Sequence, residues 1–197
     1  QAARLTGWKG QRVVIEAARL LNAGGELGNC VIVMAGDAQG RDGYRAELES
    51  LIRAGGLEDR VRLVGHVGDM PAAFALAHIA VVASTEPEAF GRTATEAQVM
   101  ACPVIATDLG APPETVLWDP RSPDGTTGWL VPPGDAKALA GALAEGLTLP
   151  PAHRAAMGQR ARTHVLASFS LDAMRLATLA VYDSLLGTDL AVRFSGS

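Results

Sequence analysis

At 197 residues the chain is long enough for one large domain with a substantial core, and 48% hydrophobic residues with 22 glycines suit a compact α/β protein. Aromatic residues are few, at 5%, so that core is built from Ala, Val, Leu and Ile. A formal charge of −4 without any basic run argues against nucleic acid as a partner, and no stretch of about 18 apolar residues offers a bilayer span.

In chain order, Gln1 to Leu5 reads as the last residues of a strand, and Thr6-Gly7-Trp8-Lys9-Gly10 turns into a helix marked by Val14, Ala17, Ala18 and Leu21 and stopped at Gly24-Gly25. A strand is expected over 30–34, then the turn Ala35-Gly36-Asp37. The next helix carries Tyr44, Leu48, Leu51 and Ile52 and closes at Gly55-Gly56. A short strand over 61–64 leads through a loop to a helix over 70–77 capped by Asp69. The apolar run 78–84 reads as a buried parallel strand, followed by a helix over 91–101, a strand over 103–106 and a short helical segment near 113–117. A turn-rich connection, 119–128, precedes a last strand at Trp129-Leu130-Val131. Asp135 caps a helix with Leu139, Ala142 and Leu143. A helix over 151–167 follows, with Met157 and Val165 inside and Arg154, Arg160 and Arg162 outside. A final helix over 171–186 carries Met174, Leu176, Leu179, Tyr182 and Leu186, and the tail 188–197 lacks periodicity. Strands alternating with helices at this spacing imply right-handed βαβ units and a doubly wound parallel, Rossmann-like sheet, whose ligands bind at the carboxyl ends of the strands.

Cys30 and Cys102 are far apart, within or beside apolar runs and without metal-ligand spacing, so they read as buried thiols of a reducing compartment. The four histidines form no metal-spaced cluster. With no signal-peptide pattern either, the expected location is the cytoplasm, or the inner face of the cell membrane through a further domain.

The chemistry gathers in Glu88-Ala89-Phe90-Gly91-Arg92-Thr93-Ala94-Thr95-Glu96. Glu88 falls in the loop at a strand's carboxyl end, and Glu96 lies about a turn and a half into the helix. The N–H groups of Phe90, Gly91 and Arg92 open that helix, where unpaired donors and roughly half a positive charge favour an anion. Gly91 lets a ligand approach the backbone. A plainer reading stands beside this one: Arg92 and Glu96, four apart, make an ordinary surface ion pair. Arg4 and Lys9 flank the first strand-to-helix turn, which a doubly wound sheet places beside this loop, although an isolated pair of cations in a turn is by default solvated.

The Glu-x7-Glu segment resembles the signature of retaining glycosyltransferases built from two Rossmann domains, the GT-B type, in the large group 1 family (family 4). That resemblance implies that Glu96 binds the ribose hydroxyls of a nucleotide-sugar and that Glu88 contacts the transferred hexose. Arg4-Leu5-Thr6-Gly7-Trp8-Lys9-Gly10 resembles the family's Arg-x4-Lys-Gly segment, in which both cations hold the diphosphate. Val61-Arg62-Leu63-Val64-Gly65-His66-Val67 resembles the part that faces the base, which places a base contact at Val67. Gly110-Ala111-Pro112-Pro113-Glu114 resembles a Gly-Gly-x-x-Glu turn with Ala111 replacing the second glycine. Gly128-Trp129-Leu130-Val131-Pro132-Pro133-Gly134-Asp135 resembles a Gly-Leu-Leu-Val-Pro-Pro-Gly-Asp turn that strand end, double proline and helix cap also explain.

By resemblance the chain is the C-terminal donor half of such an enzyme. Residues 1–170 would form the nucleotide-sugar domain with its first strand cut short, and 171–187 the helix crossing back to an N-terminal domain. The donor would be a UDP- or GDP-sugar, and the saccharide or lipid-linked acceptor would sit on that other domain, in cell-surface polysaccharide or lipopolysaccharide assembly. No Asp-x-Asp metal seat occurs, so transfer is expected to be metal-independent, with no cofactor. No Gly-x-Gly-x-x-Gly follows a strand and no Walker A motif is present. Two other classes stay open: a nucleotide-sugar-binding module without catalysis, and a sugar phosphorylase or epimerase on the same fold.

Overall fold

The structure, a computed structural model, describes residues 1–195. Residues 1–5 run parallel to β1 (Ile32–Ala35): Ala2 bridges Ala35, the Ala3 N–H donates to the Ala35 carbonyl at 2.9 Å, and the Leu5 N–H to that of Asp37 at 3.0 Å. A 3-10 turn, Gly7–Lys9, leads into α1 (Gln11–Ala23), which buries Val14, Ala17, Ala18 and Leu21 at the spacing expected of an amphipathic helix. Then come α2 (Asp42–Ala54), β2 (Val61–Gly65) and α3 (Met70–Leu76), the last capped as expected by Asp69, whose carboxylate accepts from the Ala72 N–H at 2.9 Å. Next are β3 (Ala80–Val82), α4 (Arg92–Val99), β4 (Val104–Thr107), the one-turn α5 (Pro112–Thr115) and β5 (Gly128–Val131). The helices α6 (Ala136–Thr148), α7 (Pro151–Ser168), α8 (Leu171–Leu186) and α9 (Leu190–Ser195) complete the described chain.

All paired strands are parallel, but the ladders number two among the described residues: β1-β2, and β3-β4-β5. Segment 1–5 lies between them, bridged to β1 and packed against β3 through Ala2. The central strands show why both sides of the sheet carry helices. Val81 and Ile105 enter one core with α1 and α6, while Ala80, Val82, Val104 and Ala106 enter the other with α4. Period-2 alternation within continuously apolar strands feeds two cores at once, the mark of a doubly wound sheet. Cys102 is buried and Cys30 half-buried; burial pushes the Cys102 thiol up to about 11 and raises that of Cys30, so both stay protonated at neutral pH.

Three expectations are corrected. Arg160 and Arg162 do not simply face solvent. Arg160 Nε donates to the Thr126 carbonyl at 3.0 Å, and Arg162 donates to the carbonyl of Val99, the last residue of α4. A helix end leaves carbonyls without intrahelical donors, and a long side chain from α7 supplies one. The tail is not irregular throughout: Asp183 accepts from the Leu190 and Ala191 amides at 2.7 and 2.9 Å and thereby caps α9, a long-range cap that periodicity cannot show. Residues 196 and 197 lie outside the described residues. Finally, the stretch Pro151–Leu186 is long and apolar enough, by length and composition, to cross a membrane. Within it α7 packs on α4, and α8 alone, at 16 residues, spans about 24 Å against a hydrocarbon core of about 30 Å. Its Leu171, Met174, Val181, Tyr182, Leu185 and Leu186 are exposed.

The Asp183 cap carries a pH prediction. The Ala191 amide first, then the Thr188 hydroxyl, hold this carboxyl below its ordinary value. Its contribution to docking α9 is therefore complete above the ordinary carboxylate pKa and disappears as pH falls through the lowered one. Amide-exchange protection at Leu190 and Ala191 should fall across that window, and Asp183→Asn should remove the dependence; protection unchanged by acid would contradict the cap.

Candidate functional site

Chain order and strand order together locate the site. From segment 1–5 the chain winds to β1 and β2 on one side, then crosses to β3, β4 and β5 on the other. The carboxyl ends of segment 1–5 and β3 thus flank a topological switch point, where adjacent loops run away from each other and leave a crevice. An open cleft of about 560 Å³ lies there, lined by Arg4, Trp8, Lys9, Glu88, Phe90 and Arg92 among others. Its two walls are tied together by backbone: the Thr85 N–H donates to the Trp8 carbonyl at 2.7 Å.

Lys9 and Glu88 meet across the cleft floor. Lys9 Nζ lies 2.8 Å from Glu88 Oε1, with the side chains only 14% and 11% exposed, and 4.1 Å from the centroid of the Trp8 ring. The ammonium is therefore held between a carboxylate and an aromatic face. Glu88 Oε1 also accepts from the Ser84 hydroxyl. The Glu88 backbone is held as firmly: it bridges Gly110, and its carbonyl accepts from the Ala111 N–H at 3.1 Å. Gly110 has φ +72°, and a Cβ there would lie 2.7 Å from the Glu88 nitrogen, so the glycine is what lets the two loops touch. Close approach in this turn comes from its first position, and Ala111 is compatible with it.

Arg4 lines the opposite wall, its guanidinium at 3.5 Å from Gln39 Oε1, a long contact that leaves it free to turn. The amides of residues 90–93 donate no hydrogen bond among the described residues, and Gly91, at φ +69°, is the left-handed residue that opens α4. Four free donors, the positive end of α4 and the Arg4, Lys9 and Arg92 cations line one crevice, which suits a ligand with two or more negative charges. Phe90 packs edge-on against Phe169, at 6.2 Å between ring centroids, which ties the cleft loop to the α7–α8 junction. No group of three or more His, Cys, Asp or Glu side chains converges as a metal site among the described residues.

Two expected ligands lie outside the cleft wall. Glu96 sits one turn beyond Arg92 on α4, 46% exposed, and its Oε1 is taken by Arg92 Nη2 at 2.9 Å, so the plain i,i+4 pair does form. Val67 lies in the β2–α3 loop, half-buried and away from the cleft lining. Sequence reasoning missed Ser84 and Trp8 as contacts of Glu88 and Lys9, and it quoted Gly110 as part of a turn without seeing that it meets the Glu88 backbone. Of the two missed side chains only Ser84, a hydroxyl ending an apolar strand, carried a signal in its residue type.

The profile of the family described as glycosyl transferases group 1 matches residues 1–164. A lipopolysaccharide core biosynthesis mannosyltransferase, LpcC, of Rhizobium leguminosarum bv. viciae is 36% identical over 144 residues, which cover 73% of this chain and 39% of that protein. The crystal structure of Anabaena Alr3699/HepE in complex with UDP-glucose superposes with a TM-score of 0.77 at 28% identity, over 92% of this chain and 47% of that one. The C-terminal domain of a group 1 glycosyl transferase, LpcC, from Francisella tularensis superposes with a TM-score of 0.73 at 28% identity, over 87% of this chain and 84% of that domain. The chain spans well under half the length of the curated relatives it matches.

Proposed function

The chain belongs to the glycosyl transferases group 1 family and has the fold of the C-terminal domain of GT-B enzymes, and from this we propose that it is the donor half of a retaining, metal-independent glycosyltransferase. The enzyme would move a hexose from a UDP-sugar to an acceptor hydroxyl in cell-surface polysaccharide or lipopolysaccharide assembly, in the cytoplasm or at the inner membrane face. One observation carries the reading: Arg4, Lys9, Glu88 and the unpaired amides of 90–93 converge on a single cleft at the switch point. Support for the donor class comes from a relative of the same fold that binds UDP-glucose. The exposed apolar side chains of α8 are then the surface that meets the acceptor domain.

In this proposal the diphosphate lies along the α4 amides, and its growing charge, as the glycosidic bond breaks, is met by Arg4 and Lys9. Such cations stabilise the transition state more than the ground state, because the charge develops late. The chain's own cations supply what a metal would otherwise supply. Lys9 turns from Glu88 to the phosphate, and Glu88 is released to the hexose hydroxyls. Glu96 takes the ribose diol after Arg92 swings from it to the diphosphate, a motion that breaks only an exposed pair.

Calorimetric titration of this chain with UDP, GDP, ADP and their sugars, with and without a chelator, tests the reading. One nucleoside diphosphate should bind, equally well in chelator, and Glu96→Ala should weaken it about ten- to a hundredfold, the worth of one charged hydrogen bond. Unchanged affinity in Glu96→Ala would remove the ribose assignment, and failure of every nucleotide would remove the donor-cleft reading.

A further inference from the structure

We propose that Ser84 is a positioning residue for Glu88, holding its carboxylate in place for the hexose at the moment Lys9 leaves it for the diphosphate; the inference rests on the donor-cleft reading above. Ser84 is 2% exposed, just past the end of β3, and its hydroxyl donates to Glu88 Oε1. A buried hydroxyl needs a partner, and this one has taken the oxygen that also accepts Lys9. Both donors act on Oε1, and no hydrogen bond reaches Oε2 among the described residues. One carboxylate oxygen is thus anchored and the other is available to a ligand.

The two donors differ in what they can do when a substrate arrives. Lys9 carries its charge on a flexible four-carbon stem and is drawn toward the larger charge of a diphosphate. Ser84 cannot follow, because its short side chain leaves a backbone packed into the sheet: a Cβ on Gly10 would lie 1.8 Å from the carbonyl oxygen of the preceding Ala83. It is the donor that remains. With the Glu88 backbone held by Gly110 and Ala111, the Ser84 hydroxyl completes a fixed mount at both ends of the residue. Without it, the carboxylate is free to follow the ammonium toward the phosphate or to swing into solvent, and the sugar meets a mobile acceptor.

The test separates the sugar from the nucleotide. In Ser84→Ala, UDP should bind as in the parent, since Arg4, Lys9 and the amides are untouched. The additional affinity of UDP-glucose over UDP should shrink, and kcat of the full-length enzyme should fall about ten- to a hundredfold, as for the loss of one charged hydrogen bond. Ser84→Cys, of similar volume but a weak donor, should reproduce these losses with the parental unfolding temperature, which covers the case in which the alanine variant packs poorly. Combining Ser84→Ala with Glu88→Ala, which leaves the hydroxyl no side-chain acceptor at 88, should cost no more than Glu88→Ala alone. Equal losses for UDP and UDP-glucose, or additive losses in the double variant, would overturn the positioning role and leave the donor cleft standing. A parent that binds no UDP would instead overturn the reading on which the role rests.

Discussion

Lys9→Ala in the full-length enzyme is expected to lower turnover by roughly 10²–10³, the effect of deleting one preorganised donor aimed at developing charge. Affinity for the nucleoside diphosphate should fall far less, because the free amides of 90–93 and the Arg4 guanidinium remain in the same cleft. Two features set the size of the effect. The ammonium is already shielded from water, with its side chain 14% exposed, so its charge acts on the departing diphosphate with little screening once it has turned from Glu88. Removing it also takes away the ion pair on Glu88 and leaves Ser84 as the hydrogen-bond donor to that carboxylate among the described residues. Lys9→Arg retains the charge and can stack on the indole, but its longer side chain and planar fork move the donors from where the ammonium sits, and only partial recovery is expected. Single-turnover kinetics beside nucleotide titration decide the matter; equal losses in turnover and in UDP binding would assign Lys9 to ground-state binding instead.

Gly10→Ala should be strongly destabilising, because it combines a left-handed backbone with a backbone clash. Gly10 sits between the 3-10 turn and α1 at φ +70°, where an L side chain costs about 1–2 kcal/mol. A Cβ there would meet the Ala83 carbonyl oxygen at 1.8 Å, a backbone atom that cannot step aside. Forcing loop and strand apart adds the ~1–3 kcal/mol of overpacking, so several kcal/mol in total and, for a chain of this length, a melting temperature lower by roughly 10 °C. Gly56→Ala is the control, since it has φ +62° with open space around the added carbon and should cost the conformational part alone. Thermal unfolding of both variants separates the terms, and equal midpoints would refute the close approach. Because Gly10 follows Lys9 directly, Gly10→Ala should also displace the ammonium and depress donor binding, which Gly56→Ala should not.

The secondary elements were legible because their causes are local. Val14, Ala17, Ala18 and Leu21 repeat at helical spacing; Gly24 ends α1 and Asp69 and Asp135 cap α3 and α6, each within a few residues. The loop 88–96 was legible for the same reason, since a strand, a left-handed glycine and a helix start follow one another in the sequence. Legibility failed where the partner lies far along the chain. Arg162 read as a solvent residue from its place on α7, but the carbonyl it caps belongs to α4. The tail read as irregular because the carboxylate that starts α9 sits on α8.

The sequence by itself determined an α/β chain with alternating elements and the order of its turns, and through a family resemblance it put forward Arg4, Lys9, Glu88 and the α4 amides as candidate ligand residues. The tertiary structure alone decided that these residues share one cleft. It also decided that Lys9 rests on Glu88 and Trp8, that Ser84 anchors the same carboxylate, and that Glu96 is engaged by Arg92. The physical reason is that backbone conformation answers to neighbours in the chain, whereas hydrogen bonds and ion pairs answer to neighbours in space. Which loops become neighbours here depends on segment 1–5 coming to lie between β1 and β3, a consequence of how the whole sheet packs rather than of any local pattern.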